Sequence, residues 1–147
     1  MEQGRGVEHM ADNIDAIMRH FQNDRFAASS GIRLVELRPG LARTALKIED
    51  RHLNSVGIVQ GGAIFTLADL AFAMACNSAG RVAVAVNTNL SFLKATRSGN
   101  LYAEAKEVSR SRKISTCTVE VTNDAGELVA LFQGTAYIKE EPFPPPG

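Results

Sequence analysis

One stretch governs what this 147-residue chain can fold into. From Ala63 to Cys76 nearly every residue is apolar, around a helix as well as along it, and Asp69 is the one charged residue between Gln60 and Gly80. A helix that is apolar on all sides must be enclosed. The stretch is shorter than the roughly 20 residues a membrane-spanning helix needs, so the enclosure has to be protein. The rest of the chain must therefore supply a surface that wraps it.

The flanking sequence reads mostly as strands. Ile32 to Leu37 and Leu41 to Ile48 have strand character and are separated by Pro39-Gly40, where proline fixes φ and glycine accepts a positive φ. From Val82 to Phe92, the residues Val82, Val84, Val86, Thr88, Leu90 and Phe92 alternate with Ala83, Ala85, Asn87, Asn89 and Ser91, which predicts one long strand with two unlike faces. Further strands are expected from Leu101 to Val108, Ile114 to Thr122 and Leu128 to Lys139, the last two joined by the turn-forming Asn123-Asp124-Ala125-Gly126. Ahead of these, Asp12 or Asn13 can cap a short amphipathic helix with Ile14, Ile17, Met18 and Phe21 on one side. Several strands following one enclosed helix indicate an α+β domain in which an antiparallel sheet curls around a central helix. The expected organisation is an N-terminal segment with a short helix over residues 1–25 and one folded domain over 26–141. A disordered tail follows over 142–147, where four of six residues are proline.

Composition narrows the function. Sixteen basic and 16 acidic residues give zero net charge, so no overall field draws the protein to nucleic acid or to an acidic membrane. Cys76 and Cys117 lie in apolar and strand-like runs with no C-x-x-C spacing, and read as buried free thiols of a reducing compartment. The polar, Gly-rich residues 1–10 lack the apolar stretch of a secretory signal, so a cytoplasmic protein is expected. His9, His20 and His52 have no zinc-site spacing, and no metal is expected. Nucleophile elbow, Walker loop and dinucleotide fingerprint are all missing from the sequence.

Chemistry concentrates on the helix and its approach. Asp69 either faces solvent at a gap in the packing or is held for acid/base or nucleophilic work; the second reading accounts for a charge in an apolar helix. Gly61-Gly62 can be an ordinary turn, or can offer unobstructed amides at a helix N-terminus to a developing oxyanion. Just upstream, Asn54 carries both a donor and an acceptor and can orient water or bind a carbonyl, whereas His52 reads as a loop residue. Arg110, Arg112 and Lys113, interleaved with Ser109 and Ser111, are either a solvated hairpin rim or a phosphate-binding patch.

The pattern His52-x-Asn54-x-x-Gly57-x-x-Gln60-Gly61-Gly62-Ala63-x-x-x-Leu67-x-Asp69 closely resembles the hotdog-fold acyl-CoA thioesterases, in particular the phenylacetic-acid-degradation type. The likeness continues through Ala71-Phe72-Ala73, Asn89 to Leu93 and Gly126 to Tyr137, and covers residues 26 to 139. It implies a hotdog domain assembled as a homodimer or homotetramer with shared active sites. It also implies hydrolysis of a small aromatic or medium-chain acyl-CoA to free acid and CoA, with no cofactor. Under the resemblance Asp69 matches the general base or nucleophile, Gly61 the amide that polarises the thioester carbonyl, and Asn54 the residue that helps position water. Gln60 and Gly62 join the substrate site, and Arg110, Ser111, Arg112 and Lys113 fall where relatives meet CoA. Two departures stand out: Gln60 occupies a position where many relatives have His, and Ala85 one where some have Ser or Thr. If a second hydroxyl is needed, Thr88 and Ser91 are the open alternatives. A non-catalytic acyl-CoA-binding protein is the competing reading. A hydratase or dehydratase ranks lower, because those pair an acid with a histidine that this helix lacks.

Overall fold

The computed structural model describes residues 13–146. The possible cap at Asp12, the Gly-rich start and Gly147 lie outside the described residues. The described residues begin with helix α1 (residues 13–21), in which Ile17 is fully buried. A second helix, α2 (Arg25–Ser29), starts where the Asp24 side chain accepts from the Ala27 amide at 3.0 Å. The strands are β1 (Ile32–Arg38), β2 (Leu41–Lys47), β3 (Arg81–Phe92), β4 (Asn100–Arg110), β5 (Ile114–Asn123) and β6 (Leu128–Pro142), with the long helix α3 (Gly61–Asn77) between β2 and β3. Gly40 turns β1 into β2 with φ +73°, as its pairing with Pro39 predicts.

All six strands form one antiparallel sheet in the order β1-β2-β4-β5-β6-β3. Its inner face is lined by alternate residues: Ala103 and Ala105 of β4, Cys117, Val119 and Val121 of β5, and Ala130, Phe132, Ala136 and Ile138 of β6. The many alanines let α3 approach closely. Leu67, Ala68, Ala71, Phe72 and Ala75 of α3 are essentially inaccessible, each large apolar side chain among them contributing roughly 1.5–3 kcal/mol by leaving water. Phe72 reaches so near the sheet that a Cβ on Gly134 would lie 2.8 Å from its ring. One polar contact fixes the helix over the sheet, the buried Thr44 hydroxyl donating to the Leu67 carbonyl at 2.9 Å. The expected α+β hotdog arrangement is what the chain adopts, and both cysteines are free and buried.

β3 differs from its sequence pattern. Its register with β6 shifts between Arg81 and Ala83 and again between Ala85 and Asn87. At the first shift the extra residues lie on β6, where 139–141 span the step that Val82 alone spans on β3. At the second the extra residue is Val86 of β3, and a one-residue bulge moves every later side chain to the other face. Ala83, Ala85, Thr88, Leu90 and Phe92 consequently pair with the inward residues Ile138, Ala136, Gly134, Phe132 and Ala130 and share their side. The proline-rich end also departs from its expected looseness at its first apolar residue. Phe143 packs against the core and its amide donates to the Gly80 carbonyl at 2.9 Å.

Candidate active site

The approach to α3 is a tight loop built around Asn54. Its Oδ1 accepts from the amides of Val56 (3.0 Å) and Ile58 (3.2 Å), and its own amide donates to the Ile58 carbonyl at 2.8 Å. The carbonyl half of the side chain is thus committed to the loop, and Nδ2 remains as a donor. His52 is used up as well. Nδ1 accepts from the Glu49 amide at 2.9 Å, which leaves the proton on Nε2 to donate to the Ser30 carbonyl at 2.7 Å. His52 is buried at the end of a single 3-10 turn (Asp50–His52) rather than in an open loop, with both ring nitrogens spent on backbone groups.

Gln60 is the N-cap of α3, and its side-chain oxygen accepts from the Gly62 amide. Gly62 therefore has its N–H occupied by the cap. Among the described residues no acceptor takes the Gly61 N–H, which stands at the positive end of a 17-residue helix. A Cβ there would meet the tip of the Phe92 ring at 2.9 Å, so any side chain at this position would have to displace that exposed ring. Gly61, Asn54 and Phe92 line one cavity of about 410 Å³, together with Ile58, Ile64 and Thr96. Two proposed donors, the Gly61 amide and the Asn54 side chain, thereby share a single wall.

Asp69 lies two turns further along α3 and is half-buried. Burial pushes its carboxyl above the ordinary aspartate range, and the negative charge of Asp24 adds to the rise. No donor among the described residues hydrogen-bonds it. Along the helix Asp69 falls between Phe65 and Phe72 at i, i+4 and i+7, so the three share a face. The Phe65 and Phe72 rings both stack on Phe132 of β6, with centroids 5.8 and 5.6 Å away, which turns that face toward the β6–β3 end of the sheet. Thr88 is on the same inner side, opposite Gly134, whereas Ser91 pairs with Leu131 and points to the outer face. Their odd spacing puts the two hydroxyls on opposite faces, and the bulge at Val86 sets which of them faces inward.

The basic cluster divides too. Arg110 is held by Glu107 at 2.8 Å and donates to the Cys76 carbonyl at the C-terminal end of α3. Ser111 closes the β4–β5 turn, accepting from the Ile114 amide at 3.1 Å. Arg112 and Lys113 are exposed at the turn with no ion pair among the described residues. Burial pushes the Cys76 thiol up to about 12 and the Cys117 thiol to about 11, so both stay protonated and neither is a competing nucleophile. No group of histidine, cysteine and acidic residues among the described ones is placed to hold a metal ion, and no helix among them is long and apolar enough to cross a membrane.

Asp24 is the one neighbour of the site that the sequence reading passes over. Its signal was present, a capping residue before the helix-forming run Arg25 to Ser29, but a five-residue helix has too little periodicity to be noticed.

A curled antiparallel sheet around a central helix, with a lone carboxylate mid-helix and an open amide at the helix start, defines the class. Residues 56–130 match the family model of the thioesterase superfamily, and the chain belongs to that family. It is 41% identical over 126 residues to a protein of Archaeoglobus fulgidus named "Putative esterase", across 85% of this chain and 82% of that one. It is 33% identical to the acyl-coenzyme A thioesterase PaaI of Escherichia coli, across 80% and 84% of the two chains. The solved structure of Escherichia coli PaaI, from the phenylacetic acid degradation operon, superposes with a TM-score of 0.83 at 31% identity, covering 89% of this chain and 94% of that one. A Streptococcus mutans protein solved bound to acetyl-CoA superposes with a TM-score of 0.71 at 27% identity, covering 74% and 88%.

Proposed function

We propose that the protein hydrolyses the thioester of a small aromatic or medium-chain acyl-CoA, with Asp69 as the residue that activates water. The observation that carries this reading is the half-buried, unbonded Asp69 carboxylate with raised proton affinity. A protein that only bound acyl-CoA would have no use for a carboxylate that is costly to keep in an apolar helix. In the reaction, the Gly61 N–H donates to the thioester carbonyl oxygen and draws charge onto it. Asp69 takes a proton from water as the water oxygen bonds to the acyl carbon. The C–S bond then breaks, and the thiolate of CoA leaves with its electron pair and takes up a proton. Asn54 Nδ2 steadies the water or the carbonyl, and Thr88 is better placed than Ser91 to assist. Arg112 and Lys113 are the free cations of the turn for CoA phosphates, Arg110 being engaged with Glu107. The acetyl-CoA held by the Streptococcus mutans relative supports the choice of thiol carrier.

The site is shared between two chains in this reading. Gly61 and Asp69 are eight residues apart on one helix, about 12 Å at roughly 1.5 Å per residue, which is too far for both to act on one thioester carbon. A second copy, its helix running antiparallel, would bring its Gly61 to this Asp69. The edge strand β3 is the natural seam, since it leaves Val84 45% and Val86 61% exposed beside an unpaired backbone.

The test is release of free thiol from a panel of aryl and fatty acyl-CoAs, with Asp69→Asn alongside. Asn keeps the shape and removes the base, so kcat should fall by roughly a hundredfold or more while affinity for a non-hydrolysable thioether analogue survives. Near-normal turnover by the variant would remove Asp69 from the mechanism; no turnover of any acyl-CoA by the wild type would favour binding without hydrolysis.

A further inference from the structure

A second cavity, of about 340 Å³, lies where the N-terminal helices, the second half of α3, the start of β3 and the C-terminal segment meet; Phe21, Asp24, Ala73, Met74, Val82 and Phe143 are among its walls. We propose that this cavity receives the acyl group of the thioester, with Phe21 and Phe143 as the residues that limit its size. The inference rests on the thioesterase reading and adds the location of the acyl group.

Position is the first argument. Ala73 is one helical turn, about 6 Å, past Asp69, and both are half-buried on a stripe of α3 whose neighbours, Leu70 to Phe72 and Met74 to Asn77, are buried. Asp24 stands in the cavity wall, and its charge is felt at Asp69, so the carboxylate lies within electrostatic reach of that wall. The larger cavity nearby, about 650 Å³ between α1, α2 and β1, shares Phe21 and Asp24 with this one but takes no wall from α3 or β3, so Asp24 alone does not choose between the two and the α3 and β3 walls do.

The wall chemistry, the second argument, points the same way: Asn77, the one buried polar side chain of the lining, already has its partners, while Asn23 and Asp24 are exposed. The Asn77 side chain accepts from the Ala83 amide at 2.8 Å and donates to the carbonyls of Ala73 and Ala83 at 2.7 and 3.2 Å. One oxygen of Asp24 caps α2 through Ala27. The His20 ring is packed edge-on against Phe143, with centroids 5.3 Å apart. What the space mainly offers a ligand is the surface of Phe21, Ala73, Met74, Val82, Ala83 and Phe143. An apolar group fits that surface.

Size is the third argument. Ligand pockets run from about 300 to 1,000 Å³, and this one sits at the small end. A phenyl ring or a medium alkyl chain matches it, whereas a long fatty chain would have to pass Phe143. Phe21, Asp24 and Phe143 all lie outside residues 56–130, so the cavity's outer walls come from parts of the chain beyond those that carry the family match.

The experiment compares kcat/KM for acetyl-, phenylacetyl-, octanoyl- and palmitoyl-CoA in the wild type, Phe143→Ala, Phe143→Leu and Ala73→Leu, with melting curves to establish folding. Phe143→Ala should raise palmitoyl-CoA relative to acetyl-CoA by about tenfold or more, and Phe143→Leu by less. Ala73→Leu, which fills the cavity, should lower phenylacetyl- and octanoyl-CoA by about tenfold relative to acetyl-CoA. Should Phe143→Ala fail to fold, Ala73→Leu carries the test. A change that is uniform across all four acyl groups would overturn the proposal while leaving hydrolysis intact. If the wild type turns over none of them, the hydrolase reading fails on its own; affinities for thioether analogues of the same four lengths then test the cavity, and identical length dependence in wild type and variants would overturn it.

Discussion

At the scale of single residues the central fact is two acids near one another, Asp69 in the apolar helix and Asp24 at the start of α2. Asp24 is fixed by its capping bond to Ala27, and asparagine caps a helix as well as aspartate does. Asp24→Asn should therefore keep α2 while deleting the like charge that, after burial, raises the Asp69 carboxyl. In the proposed mechanism Asp69 works only when ionised, so the acid limb of kcat/KM against pH would follow its carboxyl and should move to lower pH in the variant. A pH profile that superposes on the wild type would show that Asp24 has no effect on the reaction. Stability carries the opposite sign. Because the folded-state value of Asp69 is raised, its stabilising contribution is whole below the unfolded carboxylate range and is lost as pH rises through the folded value. Asp69→Asn should accordingly melt higher than the wild type at pH 8, with the gap closing near pH 4; an equal gap at both would mean that the carboxylate is not under strain. Asp69, Gly61 and Asn54 could be picked out from residue type and spacing. That Gln60 caps Gly62 and leaves the Gly61 amide open, or that half of the Asn54 side chain is spent on its own loop, depends on backbone bonds no single residue announces.

At the scale of elements, α3 and its sheet meet most tightly where Phe72 faces Gly134. Gly134→Ala would place a Cβ about 2.8 Å from the ring on a strand buried on that face, and overpacking of this kind costs about 1–3 kcal/mol. Denaturant unfolding measures it directly, and an unchanged midpoint would mean that Phe72 can swing aside. The long helix, the β1–β2 hairpin and the later strands were legible because each rests on a local signal: an all-round apolar run, Pro39-Gly40, or period-two alternation. The bulge at Val86, and the extra β6 residues opposite Val82, were not. A bulge is a relation between β3 and β6, set by what β6 and α3 can accommodate, and Val86 looks like any other residue of an alternating strand. That one relation decides which hydroxyl, Thr88 or Ser91, lies on the helix side, a choice the sequence left open. Phe143 was lost for a related reason, since counting prolines hid the one apolar side chain in the terminal segment that packs on the core.

At the scale of the whole molecule, the single chain carries the parts of a site but not their convergence. Gly61 opens into the cavity near Phe92, Asp69 lies two turns along α3 and outside that cavity's lining, and β3 ends the sheet with an unpaired edge on which Val84 and Val86 are exposed. Two copies joined along that edge would complete two sites, each taking its amide from one chain and its carboxylate from the other. The most direct measurement pairs Asp69→Ala with Gly61→Val, a substitution that blocks the amide and presses on the exposed Phe92 ring. Each variant should fold and be inactive as a homodimer. Co-expressed with different tags and isolated as the mixed dimer, they should regain one intact site of two and close to half the wild-type thioesterase activity. A folded mixed dimer as inactive as its parents would contradict the shared site, and with it the assignment of Gly61 and Asp69 to one reaction.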